Sequence, residues 1–212
     1  MRFKLASVAA FCCAAAFCCE ASLAGAQATL PSLTSTKVVT PLSVDFTASG
    51  FDAVTWAEDS PTLTQLGLDL IAGLEYTTPI SVPIRLEVGY IGFASSSISS
   101  DGELYRAWQG ARFAFLMGYS FAPLSIEGLG KVKLALLAGG AVTAAEYTDT
   151  ALAYAYPSIV FEPRALLALD SIFGWDTGPY ITLPTELMFR AGNYSLAPGV
   201  GLGFRYRIIG TY

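Results

Sequence analysis

Carboxylates and cationic side chains recur at alternate positions along this chain, and histidine is absent. One parity of successive segments carries Asp45, Asp69, Glu75, Glu87, Glu162, Asp170 and Glu186. The same parity carries Arg85, Arg112, Lys133, Arg164, Arg190, Arg205 and Arg207. The chemistry open to such a set is ion pairing. Charges that face one another in a narrow, low-dielectric space must be paired or hydrated. Equal numbers of the two signs predict a paired network. The bland alternative is that any amphipathic closed sheet holds some inward charge of both signs.

Catalysis finds no comparable constellation. Without histidine, Ser-His-Asp and Cys-His catalysis and histidine metal sites are excluded. The run Gly199-Val200-Gly201-Leu202-Gly203 lies inside a strand pattern, not between a strand and a helix, so it is no nucleotide cradle. Asp101 and Glu103 fit no known calcium-loop spacing. No enzymatic activity, metal or cofactor is expected.

A period of two means strands. Opposite the charged parity stands a parity of large apolar residues. Leu42, Val44, Phe46 and Ala48 alternate with Ser43, Asp45 and Thr47. Leu66 to Tyr76 alternates with Gly67, Asp69, Gly73 and Glu75. Ile84 to Tyr90 forms a third strand, Ala111 to Phe121 a fourth and Val132 to Ala138 a fifth. A sixth sets Ile159, Phe161, Leu167 and Leu169 against Glu162, Arg164 and Asp170. A seventh sets Ile181, Leu183, Leu187 and Phe189 against Thr182, Glu186 and Arg190. The last runs LAPGVGLGFRYRIIGTY, with Phe204, Tyr206, Ile208 and Tyr212 on one face. Residues 49–63, 95–105 and 146–157 read as polar outer loops, 122–130 as a turn and 192–197 as a short loop.

The amino terminus reads as a secretory signal. Arg2 and Lys4 precede an apolar run, and Ala24-Gly25-Ala26 offers cleavage between Ala26 and Gln27. The apolar run is too short to span a bilayer. All four cysteines lie within it, and the aromatic residues before Cys12 and Cys18 argue against a lipoprotein signal. Residues 27–212 then form one domain of ordinary size without disulfides.

An exported chain of eight alternating strands without a long apolar helix predicts an all-β, eight-stranded antiparallel transmembrane β-barrel. A soluble barrel shows the same period with its faces reversed. Two features favour the membrane. Glycines share the charged face, where they would make room for long side chains in a narrow lumen. Aromatics such as Tyr76, Tyr119 and Phe121 sit near strand ends on the apolar face, as interfacial girdles do. Pro163 and Pro184 interrupt neighbouring strands and could loosen a seam between lumen and lipid; ordinary bulges are the alternative. The outer loops are acidic, which argues against nucleic acid.

The chain resembles the small eight-stranded outer-membrane barrels: the outer membrane protein W family, the membrane domain of outer membrane protein A, and opacity-type adhesins. Pro198, Gly201, Gly203 and Phe204-Arg205-Tyr206 look like the W family's closing strand. The resemblance implies the outer membrane of a diderm bacterium, periplasmic termini and lipid as the surrounding partner. It also implies recognition of Phe204, Tyr206, Ile208 and Tyr212 by the barrel-assembly machinery. It implies one of two functions: passage of small or hydrophobic solutes, or a surface role in adhesion to a host ligand or in membrane integrity.

Overall fold

A computed structural model describes residues 37–57, 60–94, 108–127, 130–147, 153–173, 176–190 and 193–211. The signal segment, its cleavage site at Ala26 and Gln27, and Tyr212 lie outside the described residues. The whole loop at 95–105, with its acids Asp101 and Glu103, lies outside them as well.

Ten strand segments build one closed antiparallel sheet. They are β1 (Lys37–Ala57), β2 (Ser60–Thr77), β3 (Pro83–Phe93), β4 (Trp108–Ser120), β5 (Leu124–Ile126), β6 (Gly130–Tyr147), β7 (Ala153–Ala168), β8 (Gly178–Thr182), β9 (Thr185–Arg190) and β10 (Asn193–Thr211). They occupy eight places in the ring. Neighbours run β1, β2, β3, β4, β6, β7. β8 and β9 lie end to end in the next place, between β7 and β10. β10 closes on β1, with Lys37 opposite Thr211. β5 is a short hairpin arm on the start of β6. Closure gives each of the eight places in the ring two neighbours, while β5 pairs with β6 alone.

The wall reverses the usual globular arrangement. Leu66, Leu68, Leu70, Leu74 and Tyr76 of β2 are exposed, while Gln65, Asp69, Ile71 and Glu75 of the same strand are buried. Phe113, Phe115 and Met117 of β4, and Leu202, Phe204 and Tyr206 of β10, likewise point outward. An apolar outer surface of this extent marks a membrane-facing wall. From Leu66 to Tyr76 the strand rises about 25 Å, at ~3.3 Å per residue and a tilt of ~40°, the height of a hydrocarbon band.

Several strands are longer than their alternation predicts. Residues 49–57 and 60–63 are not loop; they pair as one hairpin down to Ala57 opposite Ser60. The predicted loop at 146–157 shrinks, because Glu146 pairs with Ala153 inside the β6–β7 ladder. The predicted loop from Gly192 is strand from Asn193 onward. The cause is common to all three. At this end the inner face turns apolar (Phe51, Ala53, Tyr156, Ala197), while Asp52 and Glu146 stand on the outer face. The polarity of the two faces inverts, so the strand continues while its sequence signature cancels.

Three further differences concern the closing end of the barrel. The predicted turn at 122–130 contains β5. Leu169 and Asp170 do not continue the sixth strand; Asp170–Phe173 is a single helical turn. The seventh strand is broken into β8 and β9 at Leu183-Pro184, although its parity survives the break.

Candidate functional site

The lower half of the interior is one ion-paired layer, assembled from all round the ring. Arg85 on β3 is its centre and is fully buried. Its Nη1 donates to Asp45 on β1, and its Nε donates to Glu87 at 2.5 Å. Glu87 also accepts from Arg112 Nη1 on β4 at 2.7 Å. Arg112 Nε reaches across the lumen to Glu186 on β9 at 3.0 Å. Arg164 on β7 donates to Glu162 at 2.7 Å and to Glu75 on β2 at 3.2 Å. Glu75 receives a further ion pair from Arg205 Nη2 on β10 at 2.9 Å.

Neutral groups complete the layer. Tyr180 on β8 donates to Asp45 at 2.8 Å, and its ring lies under the Arg164 guanidinium at 4.6 Å. Thr47 hydrogen-bonds the Tyr180 hydroxyl. Thr182 donates to Glu162 at 2.8 Å, and Ser158 donates to Glu186. Such bonds offset part of the cost of burying the ions, while Arg85 Nη2, Arg164 Nε and Arg205 Nε are left without a partner. Glycine makes the space. A Cβ on Gly73 would coincide with the Arg85 guanidinium.

The chain-terminal mouth holds a second, smaller group. Lys133 pairs with Asp176 at 2.5 Å, and Arg207 stands 3.6 Å from the same carboxylate. Asp176 was invisible to the periodicity because it belongs to the connection before β8. Asp170, expected in the lumen, sits at the start of the helical turn, off the strand that would have aimed it inward. Arg190 closes β9, and its side chain lies outside the described structure, as does that of Asp170.

Asp69 stands apart. It is buried, and its Oδ1 has no hydrogen-bond partner. Six buried carboxylates (Asp45, Asp69, Glu75, Glu87, Glu162, Glu186) share four buried guanidiniums (Arg85, Arg112, Arg164, Arg205). The expected cations Lys133 and Arg207 stand instead at the mouth, and the side chains of Arg190 and Asp170 lie outside the described residues.

Above the ions the interior is mainly apolar and aromatic, with Gln65, Thr143 and the hydrogen-bonded pair Thr55–Ser195 also buried there. Phe51, Ala53, Ile91, Phe93, Trp108, Tyr156, Met188 and Ala197 are among the residues of one buried cluster. Phe93 stacks on Trp108 at 4.0 Å, and Phe51 meets Phe93 edge-on at 4.9 Å. A Cβ on Gly67 would strike the Phe51 ring. The sequence reading gave the whole lumen to polar groups and missed this layer. Its signal was present: aromatic residues on the inner parity of the segments read as loop.

The wall carries a line of interrupted ladders. Between β7 and β8–β9, pairing stops after Arg164–Thr182 and resumes at Phe161–Thr185, spanning Pro163 and Pro184. Between β10 and β1, pairing stops at Gly199–Phe51 and resumes at Leu196–Val54, spanning Pro198. Leu183 N to Pro163 O at 3.0 Å bridges the first gap, and Gly199 N to Pro184 O at 2.7 Å ties β10 to the break between β8 and β9. Each proline lacks the donor a ladder needs. Pro198 was noted in the sequence as part of the closing strand, not as part of this seam.

On the closing strand, Phe204 and Tyr206 face outward and Ile208 is half-buried. Phe204 packs edge-on against Phe173 at 5.4 Å.

No protein-family model matches the chain, and no curated protein sequence matches it. Among solved structures it is similar to neisserial surface protein A, with 11% identity and a TM-score of 0.50 over 80% of this chain and 99% of that one. It is also similar to the attachment invasion locus protein Ail of Yersinia pestis, solved with the heparin analogue sucrose octasulfate (12% identity, TM-score 0.45, 79% of this chain and 100% of that one). The N-terminal β-barrel domain of Pseudomonas aeruginosa OprF is a third such structure (13% identity, TM-score 0.42, 80% of this chain and 100% of that one). At these identities the likeness is one of fold, and that fold is the closed eight-stranded antiparallel barrel.

Proposed function

We propose that this chain is an outer-membrane β-barrel of a diderm bacterium, closed along its axis, that works through its wall and surface and not through its bore. The carrying observation is the stacked interior: an ion-paired layer spanning the ring from Asp45 to Glu186, with an aromatic layer from Phe51 to Tyr156 above it. A hydrated path would have to breach both. Both described chain ends lie at one end of the barrel, which this reading assigns to the periplasm. The roles that fit are membrane integrity and surface attachment. The test is single-channel recording of the full chain in a planar bilayer, on material shown to be folded by heat-modifiable gel migration. Silence of folded protein is expected. Discrete openings would replace this reading with an axial channel.

A second reading has its own observation. The W-like closing strand implies passage of small or hydrophobic solutes, and the gaps at Pro163, Pro184 and Pro198 lie side by side in the wall. Such solutes would move sideways between interior and lipid. Uptake of a hydrophobic dye into proteoliposomes whose protein is electrically silent would favour this reading.

A further inference from the structure

The proline seam separates two spaces that share one side chain. Outside, a shallow groove of about 340 Å³ is lined by Gly50, Phe51, Leu66, Pro198, Gly199 and Val200, with the Asp52 carboxylate at its margin. Inside, a cavity of about 20 Å³ is lined by Phe51, Asp69, Ile91, Arg112, Glu186 and Met188, among others. Phe51 borders both. Groove and cavity are divided by one phenyl ring and a stretch of β10 whose ladder to β1 is interrupted.

The inner cavity is asymmetric in its chemistry. Most of its lining is apolar or aromatic. Its polar groups are Asp69, Arg112 and Glu186, and Arg112 is already divided between Glu87 and Glu186. Asp69 is 5% exposed, and its Oδ1 meets no donor. A buried carboxylate oxygen with no donor, beside an Arg112 guanidinium already spent on two other carboxylates, calls for a further donor of positive charge. The cavity is the size of a water molecule, which needs about 10–15 Å³. That is also the size of an –NH₃⁺ group, whereas a trimethylammonium head exceeds it.

We propose that this cavity is a subsite for a primary ammonium group borne on a short alkyl body. The ammonium donates to Asp69 Oδ1. The alkyl body lies through the seam, in place of the displaced Phe51 ring, and along the outer groove. The access route rests on the sideways reading above; the carboxylate subsite does not.

The experiment is calorimetric titration of octylammonium into phosphatidylcholine vesicles bearing the full chain, with empty vesicles as reference. Octanol is the uncharged control on the unaltered protein. Saturable binding of octylammonium without saturable binding of octanol is expected. Asp69→Asn should weaken that binding about tenfold or more. Uptake of octylammonium in proportion to lipid alone, or octanol saturating the same site, overturns the proposal without any variant. Equal affinity of a folded Asp69→Asn protein overturns it as well. Transfer of the amine across the vesicle wall is followed separately. Binding without transfer supports the subsite and removes the sideways reading; transfer without saturable binding does the reverse.

Discussion

At the scale of single residues, the interior is decided by who lacks a partner. Arg85 holds Asp45 and Glu87 together, so its removal takes an ion pair from each of two buried carboxylates, leaving Glu87 to Arg112 and Asp45 to Tyr180. Breaking a buried pair from one side costs about 3–5 kcal/mol. Arg85→Met should lower folding stability by about that amount, read as a shift in the urea concentration at which the folded gel band is lost. Asp69 predicts the opposite sign. Its carboxylate has no donor at Oδ1, so replacing it removes an unpaired charge. Asp69→Asn should therefore raise the same midpoint or leave it unchanged, and a large drop would show that Asp69 is held by Arg112 after all. Gly73 gives a third check at this scale. Any side chain there meets the Arg85 guanidinium, so Gly73→Val should destabilise by about 1–3 kcal/mol through overpacking.

At the scale of strands, the lesson lies in where the sequence was readable. Between Leu66 and Tyr76 the outer face meets apolar surroundings and the inner face meets ions, so alternation is sharp and every residue could be assigned to its face. Higher up, Phe51 and Ala53 point inward while Asp52 points outward. The geometry is unchanged, but the hydrophobic code has reversed, and hydropathy alone cannot separate a reversed strand from a loop. Asp170 shows the complementary failure. Parity continued the strand through it, and the backbone instead enters a helical turn at Asp170–Phe173. The prolines were legible as breaks, but the alignment of Pro163, Pro184 and Pro198 into one seam needed the register. That seam carries a prediction. In lipid nanodiscs, amides flanking it on β9 and β10 should exchange with deuterium faster than those of the continuous β2–β3 ladder, and Pro184→Ala should narrow the difference. Uniform protection around the ring would make the prolines inert. The end of β10 carries another. If the outward row Phe204, Tyr206 and Ile208 continues to Tyr212 as an assembly signal, Tyr212→Ser should lower the amount of barrel inserted in cells, scored by heat-modifiability of the membrane fraction.

At the scale of the whole molecule, the two interior layers make different demands on any opening. The aromatic layer excludes water by packing, and truncating it leaves a dry or single-water void above intact ions. The ion layer excludes solutes because its members hold one another across the lumen, as Arg112 does in joining Glu87 on one wall to Glu186 on the other. Removing Arg205 from the edge of the layer and Arg207 from the mouth does not reach that bridge. Neutralising Arg205 and Arg207 strips partners from Glu75 and Asp176, yet Arg164 still holds Glu75 at 3.2 Å. The Arg205→Gln, Arg207→Gln protein should therefore be less stable and still silent in a bilayer. Opening requires both closures to be cut at once. Trp108→Ala with Arg112→Ala removes the stacked ring and the cross-lumen bridge from one strand, β4, and should convert silence into steady conductance. Either change alone should leave the barrel closed. If Arg112→Ala alone conducts, the aromatic layer is no barrier, and the axial closure rests on the ions.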